Sequence, residues 1–297
     1  MKKIDTLIED VYKRIDSDEP FDEGVVQTFA HNLASKLANR LSEERKAATL
    51  RLSNFDTLCE RQLWLKINRP ETVERLPAYA KLKYLFGDIL EEVLFFLARA
   101  AGHTVEGEQD TLEVAGVEGH RDGIIDGHLV DAKSASPFAF RKFEQHTLGS
   151  DDPFGYIGQL GSYLAASNDD ARVVDKTRAS FFVVDKSGGQ IALDTYEFKK
   201  GDGTGRGGSR EDLQELINVK RKMLSGPMPR RAFDSEPDGK SGNKKLGTAC
   251  SYCPVKRTCW PTMRGFAYAS GPRYLTEVVK VPDVPEFKVG ESPVGED

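Results

Sequence analysis

Gly119-His120-Arg121-Asp122-Gly123-Ile124-Ile125-Asp126-Gly127-His128-Leu129-Val130-Asp131-Ala132-Lys133-Ser134 is the stretch that decides how this 297-residue chain is read. Asp126-Gly127 sits between two apolar runs, the pattern of a two-residue hairpin turn. A turn there pairs Ile125 with His128, Ile124 with Leu129 and Gly123 with Val130, and sets Asp122 opposite Asp131. Side chains alternate along a strand, so Asp122, Asp131 and Lys133 fall on one face. Two carboxylates facing each other destabilise a hairpin. A divalent cation relieves that repulsion, since Mg²⁺ takes hard oxygen ligands from one or two carboxylates with water and phosphate. A lysine on the same face then orients or deprotonates a water, or offsets charge on a phosphoryl oxygen. Asp126 is the rival first carboxylate. It reads as the turn residue, because Asp favours such positions.

Outward from the hairpin, the pattern predicts a mixed α/β chain. Residues 1–56 read as a helical region, with Val26, Phe29, Leu33, Leu37 and Leu41 forming one apolar stripe. Short and long helices are expected over 57–70 and 81–101, the second stopped by Gly102. Strands are expected over 103–108, 111–117, 120–125 and 128–134. A helix over 155–167, a hairpin over 179–197 and a helix over 210–225 follow. Residues 199–209 form a glycine-rich basic loop in which Lys199, Lys200, Arg206 or Arg210 could meet phosphate, although no GxxxxGK[ST] spacing is present. Arg141 and Lys142 could bind backbone phosphate, and Phe138 and Phe140 could stack bases, with core packing the better reading for at least one of them. The five histidines show no metal-ligand spacing; His120 shares the face of Asp122.

Four cysteines are present: Cys59, then Cys250, Cys253 and Cys259 in a Cys-x2-Cys-x5-Cys run. In a chain without a secretory signal such a cluster favours metal over disulfides. Four thiolates suit a 4Fe–4S cluster or a structural zinc, and Cys59 would be the distant fourth ligand.

The segments Gly119–Gly123 and Asp131–Ser134 resemble the PD-(D/E)XK nuclease superfamily, in its RecB-like exonuclease branch. Gly87-Asp88-Ile89-Leu90-Glu91 and Gln159-Leu160-Gly161-Ser162-Tyr163 look like two further motifs of that branch. The order of the cysteines, one before the core and three after it, is similar to the branch's iron–sulfur nucleases, CRISPR-associated and repair enzymes among them. The resemblance spans about residues 55–262. It implies a restriction-endonuclease-like α/β core, with helical N- and C-terminal parts joined by a 4Fe–4S cluster on Cys59, Cys250, Cys253 and Cys259. It implies that Asp122 and Asp131 hold Mg²⁺ or Mn²⁺, assisted by Glu91. Lys133 would act on the water or the transition-state charge, and Gln159 and Tyr163 on the strand. The cluster's implied role is structural.

The resulting expectation is a metal-dependent DNA exonuclease working in recombination, repair or phage DNA processing, on DNA that is single-stranded or has free ends. A helicase or recombination protein would be a separate partner. The competing class is a non-catalytic DNA-binding module that keeps the fold and the cluster. The divisions expected are 1–56, a nuclease domain over 57–280, and a disordered acidic tail over 281–297. Composition agrees with a soluble chain: 39% hydrophobic and 30% charged residues, with a net charge of −5. The charge is uneven, because residues 199–264 carry fifteen Lys/Arg against seven Asp/Glu, while 281–297 carry five acids against one lysine. No apolar run approaches the roughly 18 residues of a membrane span, and the start lacks an apolar signal core, so a cytoplasmic location is expected.

Overall fold

The computed structural model describes residues 2–42, 48–54, 57–75, 78–199 and 209–289. In chain order the helices are α1 (Leu7–Ile15), α2 (Glu23–Ser42), α3 (Glu60–Asn68), α4 (Ala78–Ala100), α5 (Pro137–Glu144), α6 (Tyr156–Ala166), α7 (Arg210–Ser225), α8 (Thr248–Ser251) and α9 (Lys256–Cys259). The strands are β1 (Val105–Glu106), β2 (Thr111–Val114), β3 (Val117–His120), β4 (Gly123–Ile125), β5 (His128–Ala135), β6 (Arg178–Asp185), β7 (Ile191–Glu197), β8 (Ser235–Pro237), β9 (Lys244–Leu246), β10 (Arg264–Tyr268), β11 (Gly271–Glu277) and β12 (Glu286–Phe287). The chain forms two compact units, one of Met1–Lys46, Leu50–Asp56 and Leu82–Val219, the other of Ala47–Thr49, Thr57–Lys81 and Lys220–Asp297. The N-terminal helices thus belong with the central sheet, and Thr57–Lys81 belongs with the C-terminal part, unlike the division at 56/57 read from the sequence.

The first unit is a mixed α/β structure around a five-stranded sheet of order β1-β4-β5-β6-β7. Only β5 and β6 run parallel; the other neighbours are antiparallel. Alternation along β5 and β6 sorts the residues into two cores. Leu129, Phe181 and Val183 pack with Phe140 and Phe143 of α5, Leu160 and Leu164 of α6, and Leu213 and Ile217 of α7. Val130, Ala132 and Phe182 pack with Leu7 and Val11 of α1 and Leu94, Phe95 and Ala98 of α4. Burying each large apolar side chain stabilises the fold by about 1.5–3 kcal/mol.

The β4–β5 hairpin has the expected register, with Ile125 opposite His128, Ile124 opposite Leu129 and Gly123 opposite Val130. Asp126 and Gly127 take φ of 51° and 80°, the turn geometry that Asp-Gly favours. The ladder stops at Gly123. Asp122 does not pair across with Asp131; its Oδ2 instead accepts from the Ala132 N–H at 2.9 Å. The expected strand over 120–125 is broken at Arg121 and Asp122, because β3 pairs with β2 in a separate hairpin.

The second unit corrects the expectation of a helical C-terminal part. Its main feature is a five-stranded antiparallel sheet of order β12-β10-β11-β9-β8. Strands β10 (Arg-Gly-Phe-Ala-Tyr) and β11 (Gly-Pro-Arg-Tyr-Leu-Thr-Glu) are short and carry no clean alternation, so no local pattern announces them. The acidic tail is likewise not disordered from 281. Glu286 and Phe287 pair with β10, and Glu286 takes both Arg264 nitrogens at 2.6 and 2.7 Å. Residues 290–297, and 200–208 of the glycine-rich loop, lie outside the described residues. Arg210 is described: it donates to the Ala166 and Glu113 carbonyls, so it is committed to the fold. No helix among the described residues is long and apolar enough to cross a membrane.

Candidate active site and cysteine cavity

The side chains of Asp131 and Lys133 lie on the α5–α6 face of β5. Asp131 is 2% exposed, and its Oδ2 is ion-paired with Lys133 Nζ at 2.5 Å. Both carboxylate oxygens of Asp131 are sealed from solvent, and Oδ1 has no partner. Asp122 is held beside them by its bond to Ala132. The segment that carries it is fixed by Arg121, 1% exposed, which reaches Asp110 at 2.7 Å, Asp170 at 2.6 Å, Ser167 and the Gly107 carbonyl. Gly123 next to it is tightly packed, since an added Cβ would stand 3.0 Å from the buried Phe95 ring, which would have to shift.

Glu91 comes from α4. Its Oε1 accepts from Gln109 Nε2 at 2.8 Å and pairs with Lys36 Nζ at 3.0 Å, and the same lysine reaches Glu92 at 2.9 Å. On α6, the Asp152 carboxylate accepts the N–H groups of Tyr156 and Ile157, fixing the helix start. Tyr156, Gln159 and Tyr163 share one face of that helix. Gln159 donates to Tyr163 Oη at 3.1 Å, and the Tyr156 ring lies 5.4 Å from Lys133 Nζ.

The electrostatics follow from three carboxylates and one lysine in a confined space. Burial, then Asp131 and Glu91, push the Asp122 carboxyl well above its ordinary value. Burial raises Glu91 as well, against the pull of Lys36. Burial pulls Lys133 down, but Asp131 and Asp122 outweigh it and hold the ammonium above the usual lysine value. Burial and then Asp131 push the Tyr163 hydroxyl up to about 12. Lys133 is therefore a cation at neutral pH, suited to offsetting charge and orienting water rather than to taking a proton.

Sequence reasoning named Glu91, Asp122, Asp131, Lys133, Gln159 and Tyr163, and each acts electrostatically on, or hydrogen-bonds to, another of the set. It missed Lys36, Gln109 and Tyr156. Tyr156 was findable, standing three residues before Gln159 and seven before Tyr163. Lys36 was not, because its pairing with Glu91 spans 55 residues. His120 is exposed and bonds only Thr111, so the structure gives it no link to the carboxylates. Asp126 caps its own hairpin, accepting from Thr104 N and pairing with His103 at 2.6 Å. Phe140 is core and Phe138 is exposed.

In the second unit the four cysteines line one cavity with Gln62, Arg231, Lys256 and Trp260, of about 310 Å³ counting the part open to solvent. All four are free thiols. Burial and then the neighbouring thiols push Cys250 up to about 11; burial also raises Cys253 and Cys259. Arg61 Nε and Trp260 Nε1 are buried without acceptors, while Gln62 donates to Cys253 Sγ at 3.4 Å. Among the described residues, no three His, Cys, Asp or Glu side chains stand, as placed, in a group that could hold a single metal ion. In charge and donor chemistry both places nonetheless suit a guest. Asp131 Oδ1 has no partner beside the Lys133 ion pair on Oδ2, and the unbonded N–H groups by the cysteines lack an anionic acceptor.

The comparisons with known proteins are distant. No protein-family model and no curated protein matches the chain. Among solved structures it is similar to the crystal structure of SSO0001, at 16% identity and a TM-score of 0.41, over 77% of this chain and 95% of that one. It is also similar to an alkaline exonuclease (LHK-Exo) from Laribacter hongkongensis, at 14% identity and a TM-score of 0.34, over 66% of this chain and 92% of that one. The same exonuclease in complex with dAMP matches at 16% identity and a TM-score of 0.35, with the same shares covered. Likenesses this distant carry none of the functional argument, which rests on the residues above.

Proposed function

We propose that the chain is a divalent-cation-dependent nuclease that hydrolyses DNA phosphodiester bonds, as an exonuclease acting on free ends. One observation carries the reading: Asp122, Asp131 and Glu91 surround the half-buried Lys133 ammonium, and the buried Asp131 carboxylate has one oxygen on that ammonium and no partner on the other. An unrelieved buried carboxylate costs several kcal/mol. A fold that brings Asp122 and Glu91 beside the buried Asp131 carboxylate suits a divalent cation. Asp122 and Asp131 would hold Mg²⁺ or Mn²⁺, with Glu91 assisting. When bound, the cation supplies Lewis-acid polarisation of the phosphoryl oxygen and lowers the pKa of water. The Lys133 ammonium offsets the negative charge that grows on the phosphoryl oxygens and orients the attacking water. Tyr156 shields that ammonium from solvent, and the half-buried Gln159 presents its amide to the strand while Tyr163 holds it in place. The four cysteines would bind a 4Fe–4S cluster tying Cys59 to the 250–259 segment.

The reading is tested on linear and circular DNA of both strandedness, end-labelled where linear, with Mg²⁺ or Mn²⁺ and with chelator. Degradation of linear but not circular DNA, abolished by chelator and by Asp131→Asn, supports it. Absence of cleavage from protein that binds DNA favours the non-catalytic module instead.

A further inference from the structure

The cysteine cavity carries more polar apparatus than four ligands need. Arg61 Nε and Trp260 Nε1 are both buried with no acceptor, a state that destabilises the fold. They are not scattered: Trp260 lines the cavity and lies within reach of Cys250, and Arg61 lies within reach of Cys259. Neither reaches hydrogen-bond geometry with a thiol in the chain as it stands. Gln62 already does, donating to Cys253. Behind them stands positive charge. Arg231 stacks on the Trp260 ring with Cζ 4.1 Å from its centroid, and Lys256 is buried against Glu74 at 2.8 Å. Arg61 donates from Nη1 to the Pro229 carbonyl at 3.3 Å, which leaves its Nε unsatisfied. Neutral thiols are weak acceptors and need no such shell. Thiolates on an anionic cluster are strong acceptors and do.

We propose that Arg61 and Trp260 are outer donors to the iron–sulfur group, hydrogen-bonding the thiolates of Cys259 and Cys250 and raising the group's reduction potential. The inference rests on the cluster assignment made above and goes beyond the purely structural role given to it there. The sign follows from electrostatics. Reduction adds one electron to the cluster, with no bond broken and no proton required. Hydrogen bonds to sulfur and nearby cations stabilise the more negative, reduced state. These two residues are positioning residues and touch no DNA.

The test uses the full chain, purified and reconstituted without oxygen, beside Trp260→Phe, which deletes the N–H and keeps the ring. Iron and sulfide are measured first, then the midpoint potential by mediated titration with dithionite. The proposal predicts four irons per chain in both proteins and a midpoint at least 59 mV more negative in the variant, a tenfold change in the one-electron equilibrium. Equal potentials with the cluster retained overturn the proposal and leave the cluster standing. A wild type that takes up zinc or nothing overturns both. Should Trp260→Phe fail to hold iron, the wild type alone decides. Exchange into D₂O shifts its terminal Fe–S stretching bands in resonance Raman spectra if N–H groups bond the sulfurs, and bands that stay fixed contradict the proposal.

Discussion

Asp122 is the side chain with the most to lose from its surroundings. Its carboxyl is raised by burial and by Asp131 and Glu91, so the folded state prefers it protonated. For a carboxylate with a raised folded pKa, the stability contribution is full below the unfolded value and is lost as pH rises through the folded one. Asp122→Asn removes that penalty and keeps an oxygen to accept from Ala132. The variant should be more stable than the wild type in chelator at pH 8, and the gap should close as pH falls, read by urea titration at each pH. Its cleavage should fall at least 100-fold, the pattern of a site that trades stability for function. Lys133→Met should also slow cleavage by about 100-fold or more, since it removes a charge aimed at the developing phosphoryl charge; single-turnover rates measure it. Arg121 works at the same scale but for the fold. Arg121→Met should cost about 3 kcal/mol, the low end for breaking a buried pair, because Arg172 still holds Asp110 and Asp170 at 2.7 and 2.8 Å.

The β4–β5 hairpin shows how much of the fold and the site the sequence made legible. Asp126-Gly127 set the register, and the register put Asp131 and Lys133 on one face, because turn chemistry and strand alternation are local rules. Helix α7 was legible to the residue for the same reason: its apolar positions recur at helical spacing. The break at Arg121 was not legible. It depends on Arg121 reaching Asp110, Ser167 and Asp170, which are 11, 46 and 49 residues away. Lys36 was hidden in the same way. The face of α2 that carries Asn32, Lys36 and Arg40 meets Glu92, Glu91 and Asp88 of α4, a pairing that no local pattern announces. Turn chemistry also gives the element-scale prediction. Gly127 has a φ of 80°, and an added Cβ would stand 2.8 Å from Val174 Cγ2 and 3.0 Å from its Cβ, so the Val174 segment must shift as well. Gly127→Ala should therefore cost at least about 1–2 kcal/mol, the share of the left-handed backbone alone. Thermal melting should show a drop of several degrees.

At the scale of the whole molecule, two units carry two kinds of unmet chemistry. The sheet unit gathers Asp122, Asp131 and Glu91, and one oxygen of the buried Asp131 has no partner. The smaller unit gathers thiols and buried N–H donors that lack an anionic partner. Each is costly in the chain alone, and a binding group that relieves the cost stabilises the fold by mass action. Anaerobic reconstitution with iron and sulfide should raise the melting temperature, and Cys253→Ser should remove the increase. The central claim concerns the other unit, that the Asp122–Asp131–Glu91 cluster takes a divalent cation and uses it on DNA. Its most direct test is a Mn²⁺ titration of the wild type and Asp131→Asn, followed by calorimetry and, in the same samples, by degradation of end-labelled DNA. The account predicts that binding and cleavage rise together in the wild type and are both lost in the variant. Cleavage that persists in Asp131→Asn, or that proceeds unchanged in chelator, would contradict it.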